Sequence, residues 1–310
     1  MPRPSVSPWW WPRSTTHPST TCAGTDPLKV ALSGSDVAIA AIAAIVGIAA
    51  AVLLTGCQTT STTAVSGSDA TMATTATPAT NTPAGTAVTT TVALPGGRTG
   101  ALRGLGGARS QPLIDRIAAE LPGAVDAVSA FWGTDWPGQI VVVVTESDEQ
   151  FRVLAHGSAD IAAATTADGM VFAPGAADMG ATALGIVVRH ELFHYAARAQ
   201  TVADAPLWLT EGVADYVGRP AQPPPPDGAR LAQLPTDADL QTAGPARSDA
   251  YDRAWWFSRF VAERYGAPAL KALYLRACGA GHPDPATAVR ETLGTDLDEV
   301  VAQWRAWMTR

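Results

Sequence analysis

The sequence predicts an α+β fold in which a small sheet with an edge strand packs on a long helix, followed by a mainly helical C-terminal part. The β-branched run at residues 139–144 lies between Pro137-Gly138 and a polar segment, and it predicts a strand buried on both faces. Residues 181–200 contain no proline and carry apolar side chains at helical spacing, which predicts one long helix. After residue 249, segments of helical character are separated by glycines.

The remaining elements are shorter. Apolar residues between 113 and 117 have helical spacing, and the Pro-Gly pair at residues 122–123 is expected to end this helix before a second short one. Residues 151–154 begin another short helix. Residues 169–173 predict a strand, and Pro174 directly after it favours a position at the edge of the sheet. The C-terminal helices are expected at residues 204–218, 249–265, 268–278, 286–293 and 296–308.

The composition excludes two classes of protein. A chain of 310 residues with 47% hydrophobic and 16% charged residues can bury a core, which argues against a wholly disordered protein. The 21 basic residues are outnumbered by 28 acidic ones and form no cluster, so no nucleic-acid partner is expected. Cys22, Cys57 and Cys278 are too far apart in sequence for a CxxC pair or a disulfide framework.

Residues 37–54 form an unbroken run of apolar residues and glycine that is long enough to insert into a membrane. The run leads into the sequence L-T-G-C, which ends at Cys57 and resembles the bacterial lipobox. This resemblance implies that Cys57 is lipidated and becomes the first residue of the mature chain. The alternative is an uncleaved single-span helix. Residues 37–57 are therefore expected to be a signal or membrane segment, with the following residues at the extracytoplasmic face of the cell membrane.

Residues 1–36 precede this segment and are long for the first region of a signal peptide. Two interpretations stay open. Translation starts downstream, near Leu28 or Val30, or residues 1–36 form a disordered cytoplasmic tail.

Residues 58–107 predict a disordered linker rich in Thr and Gly. Residues 58–93 contain 14 Thr, 3 Ser and a single charged residue, so they have too little apolar surface to offset the entropy of ordering. Residues 95–107 contain six glycines, which extends the flexible stretch. The folded domain is accordingly expected at residues 108–310.

The long predicted helix contains an H-E-x-x-H motif at residues 190–194. Residues four apart lie on one face of a helix, so His190 and His194 can bind one metal ion. Glu191 lies beside the first histidine, where it can take a proton from the attacking water. A helix with two surface histidines is the alternative, but the apolar neighbours of the motif indicate burial, where unpaired imidazoles are costly.

A third protein ligand is available at Glu211, 17 residues after His194. Asp215 follows four residues later and shares its helical face. Glu211 can therefore bind the metal while Asp215 accepts the N–H of a ligand histidine, most simply His190. Two carboxylates on an exposed helix are the alternative. Three protein ligands leave one coordination position open, as in catalytic zinc sites.

The segments H-E-L-F-H and W-L-T-E-G-V-A-D-Y resemble the motifs of the gluzincin clan of zinc peptidases, specifically small bacterial peptidase-MA-like domains. The resemblance covers roughly residues 125–310. It implies a zincin-like fold that binds Zn²⁺. The resemblance also assigns the roles of the motif residues. The zinc ligands would be His190, His194 and Glu211, the general base would be Glu191, and Asp215 would be the carboxylate behind a ligand histidine.

Gluzincins often stabilise the oxyanion with a tyrosine or histidine downstream of the third ligand, and Tyr251 stands at the matching place; a packing role is the alternative. The expected function is a lipid-anchored, extracytoplasmic zinc-dependent peptidase that acts on a peptide or protein. The alternative is a catalytically silent zincin-fold module that binds peptides or proteins at the cell surface. Glu191 argues against this alternative, since a binding protein needs no base.

Overall fold

The structure, a computed structural model, describes residues 86–156 and 160–310. The predicted tail at residues 1–36, the segment 37–57 with Cys57, and linker residues 58–85 lie outside the described residues. Within the described ranges, no helix is both long enough and apolar enough to cross a bilayer.

The described residues form a five-stranded mixed sheet. Its order is β1-β2-β3-β5-β4, with antiparallel pairs β1–β2 and β4–β5 and parallel pairs β2–β3 and β3–β5. The strand at residues 139–144 occupies the centre of the sheet, and its side chains alternate between buried and half-buried, so one face is less buried than its sequence predicts. The strands are β1 (Val88–Leu94), β2 (Arg98–Gly104), β3 (Gln139–Val144), β4 (Ala163–Thr165) and β5 (Met170–Phe172).

The β1–β2 hairpin contradicts the last part of the linker predicted at residues 58–107. Residues 88–104 are ordered because threonine and valine are β-branched and favour strands, which a count of polar residues overlooks. Alternate residues of β2 are buried, so the hairpin belongs to the packed domain. Its turn places Gly96 and Gly97 at φ values of 68° and 72°. The folded domain therefore includes residues from 88 onward, not only from 108.

Helix α1 (Gln111–Trp132) continues through Pro122, where the sequence predicts an end. A proline inside a helix costs about 3 kcal/mol. Leu121, Val125 and Val128 lie on both sides of Pro122 and are at most 1% exposed. Each contributes about 1.5–3 kcal/mol by burial, so together they outweigh the proline. One long helix replaces the two predicted short ones.

The two edges of the sheet are β1 and β4, and β5 lies between β3 and β4, so the edge position predicted for residues 169–173 is wrong. Pro174 belongs to a 3₁₀ turn after β5 and therefore does not restrict its pairing. Helix α2 (Asp148–Ala155) follows β3, and the short strand β4 then pairs with β5. Within the described residues, the other side of β4 has no strand partner.

Helices dominate the rest of the chain, which confirms the predicted α+β class with a mainly helical C-terminal part. Trp255, Trp256, Trp304 and Trp307 are buried among these helices. The helices are α3 (Ala181–Ala197), α4 (Leu207–Gly218), α5 (Asp237–Gln241), α6 (Pro245–Tyr265), α7 (Ala267–Cys278), α8 (Pro285–Leu293) and α9 (Leu297–Trp307).

Two glycines allow α4 to lie close to its neighbours. A Cβ atom at Gly212 would be 2.4 Å from the carbonyl oxygen of Ala254 in α6, and one at Gly218 would be 3.1 Å from the carbonyl oxygen of Ile186 in α3. The first distance is too short for any side chain, and the second leaves little room. Helix α4 is therefore packed directly against the backbones of both helices, which determines where its acidic residues lie.

Candidate metal centre

Helix α3 is buried on almost every side, and for this reason its H-E-x-x-H motif lies inside the protein. His190 and Glu191 are 3% and 4% exposed, and His194 is partly buried. Helix α4 packs on α3 and brings the carboxylate of Glu211 to the two imidazoles.

The side chains of His190, His194 and Glu211 converge on one point. His190 Nε2 lies 3.1 Å from His194 Nε2 and 3.2 Å from Glu211 Oε2, and the distance from His194 Nε2 to Glu211 Oε2 is 3.5 Å. In a tetrahedral zinc site with bonds of about 2.0–2.1 Å, ligand atoms are about 3.3–3.4 Å apart. The three atoms match one face of such a tetrahedron, and two imidazoles with one carboxylate are ligands that suit zinc.

Asp215 fixes the orientation of His190. Its Oδ1 lies 2.9 Å from His190 Nδ1, which favours the tautomer that donates Nδ1–H to the carboxylate and leaves the Nε2 lone pair for a metal. Arg219 lies 2.6 Å from the other oxygen of Asp215 and 2.6 Å from Asp252. A buried chain of charged groups thus supports the candidate ligand from behind.

The charges of this cluster shift the pKa values of its members. Burial alone would lower the pKa of His190, but the carboxylates of Asp215 and Glu211 hold it well above its usual value. Burial alone would raise the pKa of Glu211, but the imidazoles of His194 and His190 hold it far below its usual value. The cluster therefore keeps an ionised carboxylate at Glu211, and a proton and a metal ion compete for Nε2 of His190.

Glu191 is held by the last residue of the edge strand β4. Thr165 Oγ1 lies 2.7 Å from Glu191 Oε2 and 2.9 Å from the carbonyl oxygen of Glu191. The hydroxyl donates to the carboxylate and restricts its rotation. Strand β4 therefore reaches α3 at the residue that the motif identifies as a base.

The cluster lines a cavity of about 520 Å³, together with β4, Glu191 and Tyr251. The ring of Tyr251 lies 6.4 Å from the ring of His190, and its hydroxyl is hydrogen-bonded to Glu211. Burial, reinforced by the nearby carboxylates of Glu211, Asp215 and Glu191, raises the pKa of Tyr251 well above its usual value. Its phenol therefore stays protonated and can donate a hydrogen bond.

The structure brings six of the predicted site residues together, five of them lining this cavity and Asp215 behind His190, whereas Cys57 lies outside the described residues. Three further residues were not identified from the sequence. Arg198 and Arg219 follow His194 and Asp215 by four positions, so helical spacing could have indicated them. Thr165 had no such signal, because β4 is only three residues long. The six predicted residues are His190, Glu191, His194, Glu211, Asp215 and Tyr251.

Replacing Asp215 by Asn should lower the affinity for zinc about 10- to 100-fold, because the charged partner of His190 Nδ1 is lost. The measurement is competition with a chelator of known affinity, accompanied by circular dichroism to verify the fold. Asp252→Asn is the matched control: it removes the other carboxylate of Arg219 but leaves the contact with His190. Wild-type affinity in a folded Asp215→Asn protein would contradict this role for Asp215.

Comparisons with known proteins show a weak structural similarity to zinc peptidases. No model of a protein family matches the sequence, and no curated protein matches it. Legionella pneumophila aminopeptidase A in complex with aspartic acid is 15% identical, with a TM-score of 0.46 over 71% of this chain and 28% of that one. A mutant of a two-domain M1 zinc metallopeptidase bound to L-arginine is 17% identical, with a TM-score of 0.41 over 73% and 52% of the chains. A mutant M1 zinc metallopeptidase from Deinococcus radiodurans is 18% identical, with a TM-score of 0.42 over 72% and 52%. The chain thus spans 28% to 52% of the length of these structures.

Proposed function

We propose that this chain is a zinc-dependent peptidase with a zincin-like fold of the gluzincin type. One observation carries the proposal: ligand atoms of His190, His194 and Glu211 with the spacing of a zinc site line the same cavity as the carboxylate of Glu191. A metal site that served only to stabilise the fold would have four protein ligands and no neighbouring base.

The chain's own residues can be assigned to the steps of peptide hydrolysis. Zinc held by the three ligands would polarise the scissile carbonyl and lower the pKa of the attacking water toward about 7. Glu191 accepts a proton from this water at its carboxylate and passes it to the leaving amine. The Thr165 hydroxyl keeps the Glu191 carboxylate in one orientation during both transfers. The protonated phenol of Tyr251 exchanges its hydrogen bond with Glu211 for one that it donates to the developing oxyanion.

The edge of β4 provides a place for the substrate backbone. The N–H of Thr166 donates to the carbonyl of Gly169 at 2.8 Å, so Thr166 is a hydrogen-bonded position of the β4–β5 ladder. Such positions alternate in an antiparallel pair, and the backbone groups of Ala163 and Thr165 therefore face away from β5. Both residues line the cavity, so an extended peptide can add to this edge and present its carbonyl beside Glu191.

The alternative is a silent surface module that binds peptides without cleaving them. The cavity and the strand edge would serve such a module equally well. Glu191 argues against such a module. Its hydrogen bond with Thr165 holds a carboxylate in the cavity, and a carboxylate is not needed to bind a peptide backbone.

The lipobox-like sequence that ends at Cys57 supports attachment of the protein to the extracytoplasmic face of the membrane by a lipid. Residues 58–85 would then be the remaining part of the tether between the membrane and the domain that includes β1. A peptidase in this place acts on peptides or proteins outside the cytoplasm.

Glu191→Gln should keep zinc and the fold but reduce peptide hydrolysis at least about 100-fold, the lower end of general-base contributions. The measurement is kcat/KM on peptides selected from a library by the wild-type protein, at equal zinc content. Glu149→Gln makes the same change at an exposed carboxylate of α2 and should retain wild-type activity. If the zinc-loaded Glu191→Gln protein cleaves at the wild-type rate, Glu191 is not the base.

Cys57→Ser should abolish the incorporation of a labelled fatty acid, because the modified thiol is removed. The comparison uses cells that express the full-length wild-type chain or the variant. Cys278→Ser, at a cysteine that is buried in the structure, should label as the wild type does. Labelling that persists in Cys57→Ser would show that the lipid is not attached at this residue.

A further inference from the structure

The cavity carries a positive charge that the mechanism does not use. Arg198 lines the cavity one helical turn after His194. Its guanidinium donates to the carbonyl oxygen of Ala167 at 3.0 Å and stacks on the ring of Tyr195 at 4.1 Å. In the described part of the chain, no carboxylate lies within ion-pair distance of this side chain.

The other charged side chains of the cavity wall belong to the metal centre. Glu211 is a candidate ligand, and Glu191 is the proposed base. Apart from the two ligand histidines and Tyr251, the remaining described lining is formed by alanines, threonines and a few aliphatic residues. A substrate side chain that reaches beyond the metal centre therefore meets one formal charge among the described lining residues, and this charge is positive.

We infer that Arg198 selects peptides that place a carboxylate one or two residues from the scissile bond; this inference rests on the proposed peptidase function. A guanidinium has five N–H donors, of which the bond with Ala167 uses one, and its planar fork matches the two oxygens of a carboxylate.

The position of Arg198 sets the distance to the reacting bond. Thr165 contacts Glu191, and Ala167, two residues later, contacts Arg198. Two residues of extended backbone span at most about 7 Å. In a peptide that runs along β4, the guanidinium therefore lies one or two residues from the scissile bond. The carboxylate is either an Asp or Glu side chain at this position or the C-terminus of a short peptide. A lysine or arginine at the same position would be repelled.

The test compares matched peptides in one protein at a time. The probes are quenched fluorescent octapeptides of alanine and glycine with blocked ends, in which Glu, Gln or Lys occupies each of the four central positions in turn. A second set of peptides has no charged side chain. It is made at two lengths, and each length is made with a free and with an amidated C-terminus. The full-length protein, purified in detergent and loaded with zinc, is used throughout.

At one position, Glu should give a kcat/KM at least about tenfold higher than Gln, the size expected for a charge-assisted hydrogen bond, and Lys should fall below Gln. If the C-terminus is the recognised group, the free form should exceed the amidated form by the same factor. In Arg198→Gln, the ratio of kcat/KM between the acidic peptide and its uncharged counterpart should fall to about 1. Arg198→Lys should keep part of this ratio because the positive charge remains. Arg276→Gln, at a distant exposed arginine that pairs with Glu291, should keep the wild-type ratio.

Each ratio compares two peptides with the same protein sample. A general loss of folding or of zinc therefore lowers both rates and does not change the ratio. Peptide cleavage without any acid preference, or a preference that survives Arg198→Gln, would overturn the inference and leave the peptidase intact. The same peptides are also titrated by fluorescence polarisation against zinc-loaded Glu191→Gln, with and without Arg198→Gln. Acid-selective binding that needs Arg198, without cleavage by the wild type, would keep Arg198 as the group that recognises acidic peptides but refute the peptidase, and with it the position relative to a scissile bond. If the peptides are neither bound nor cleaved, both the inference and the proposed peptidase function are refuted.

Discussion

The arrangement of the site depends on the contact between the imidazole of His190 and the two carboxylates of helix α4. One ring nitrogen meets Asp215, and the other meets Glu211, so a single side chain joins α3 to α4 at the centre of the cavity wall. Burying these charges is tolerable only because each has a partner; removing one partner from a buried pair typically costs about 3–5 kcal/mol. Arg219 and Asp252 complete the pairing behind Asp215.

Backbone packing makes this contact possible. Gly212 and Gly218 allow α4 to approach α6 and α3 more closely than a side chain would permit, and Glu211 is next to the first of these glycines. The edge strand β4 reaches the other side of α3 and holds Glu191 through Thr165. One candidate ligand, His190, and the proposed base, Glu191, are thus consecutive residues of α3, and different elements hold them: α4 contacts the first and β4 the second.

The predictable part of the site is the part that is local in sequence. His190 and His194, like Glu211 and Asp215, are separated by one helical turn, and this spacing alone predicts which side chains share a face. Features that depend on contacts between residues distant in sequence were not predicted. Thr165 belongs to a three-residue strand whose pairing with β5 no periodicity reveals, and this pairing also determines that β4, and not β5, forms the edge.

The same distinction explains the errors in the fold. Pro122 lies in a helix that the core stabilises from both sides, which local propensity cannot show. Residues 88–104 have the composition of a linker, yet β2 pairs with the central strand β3, and this pairing orders the hairpin. At Pro122, tertiary contacts outweigh the local signal; in the hairpin, they act together with a β-propensity that the composition of the segment conceals.

The central claim is that His190, His194 and Glu211 bind one zinc ion. The most direct measurement is the metal content of the purified full-length protein, compared with that of a His190→Ala, His194→Ala double variant after both are equilibrated with zinc and desalted. The account predicts about one zinc per wild-type chain and almost none in the variant, since two of the three protein ligands are gone. Equal zinc in the two proteins would contradict it.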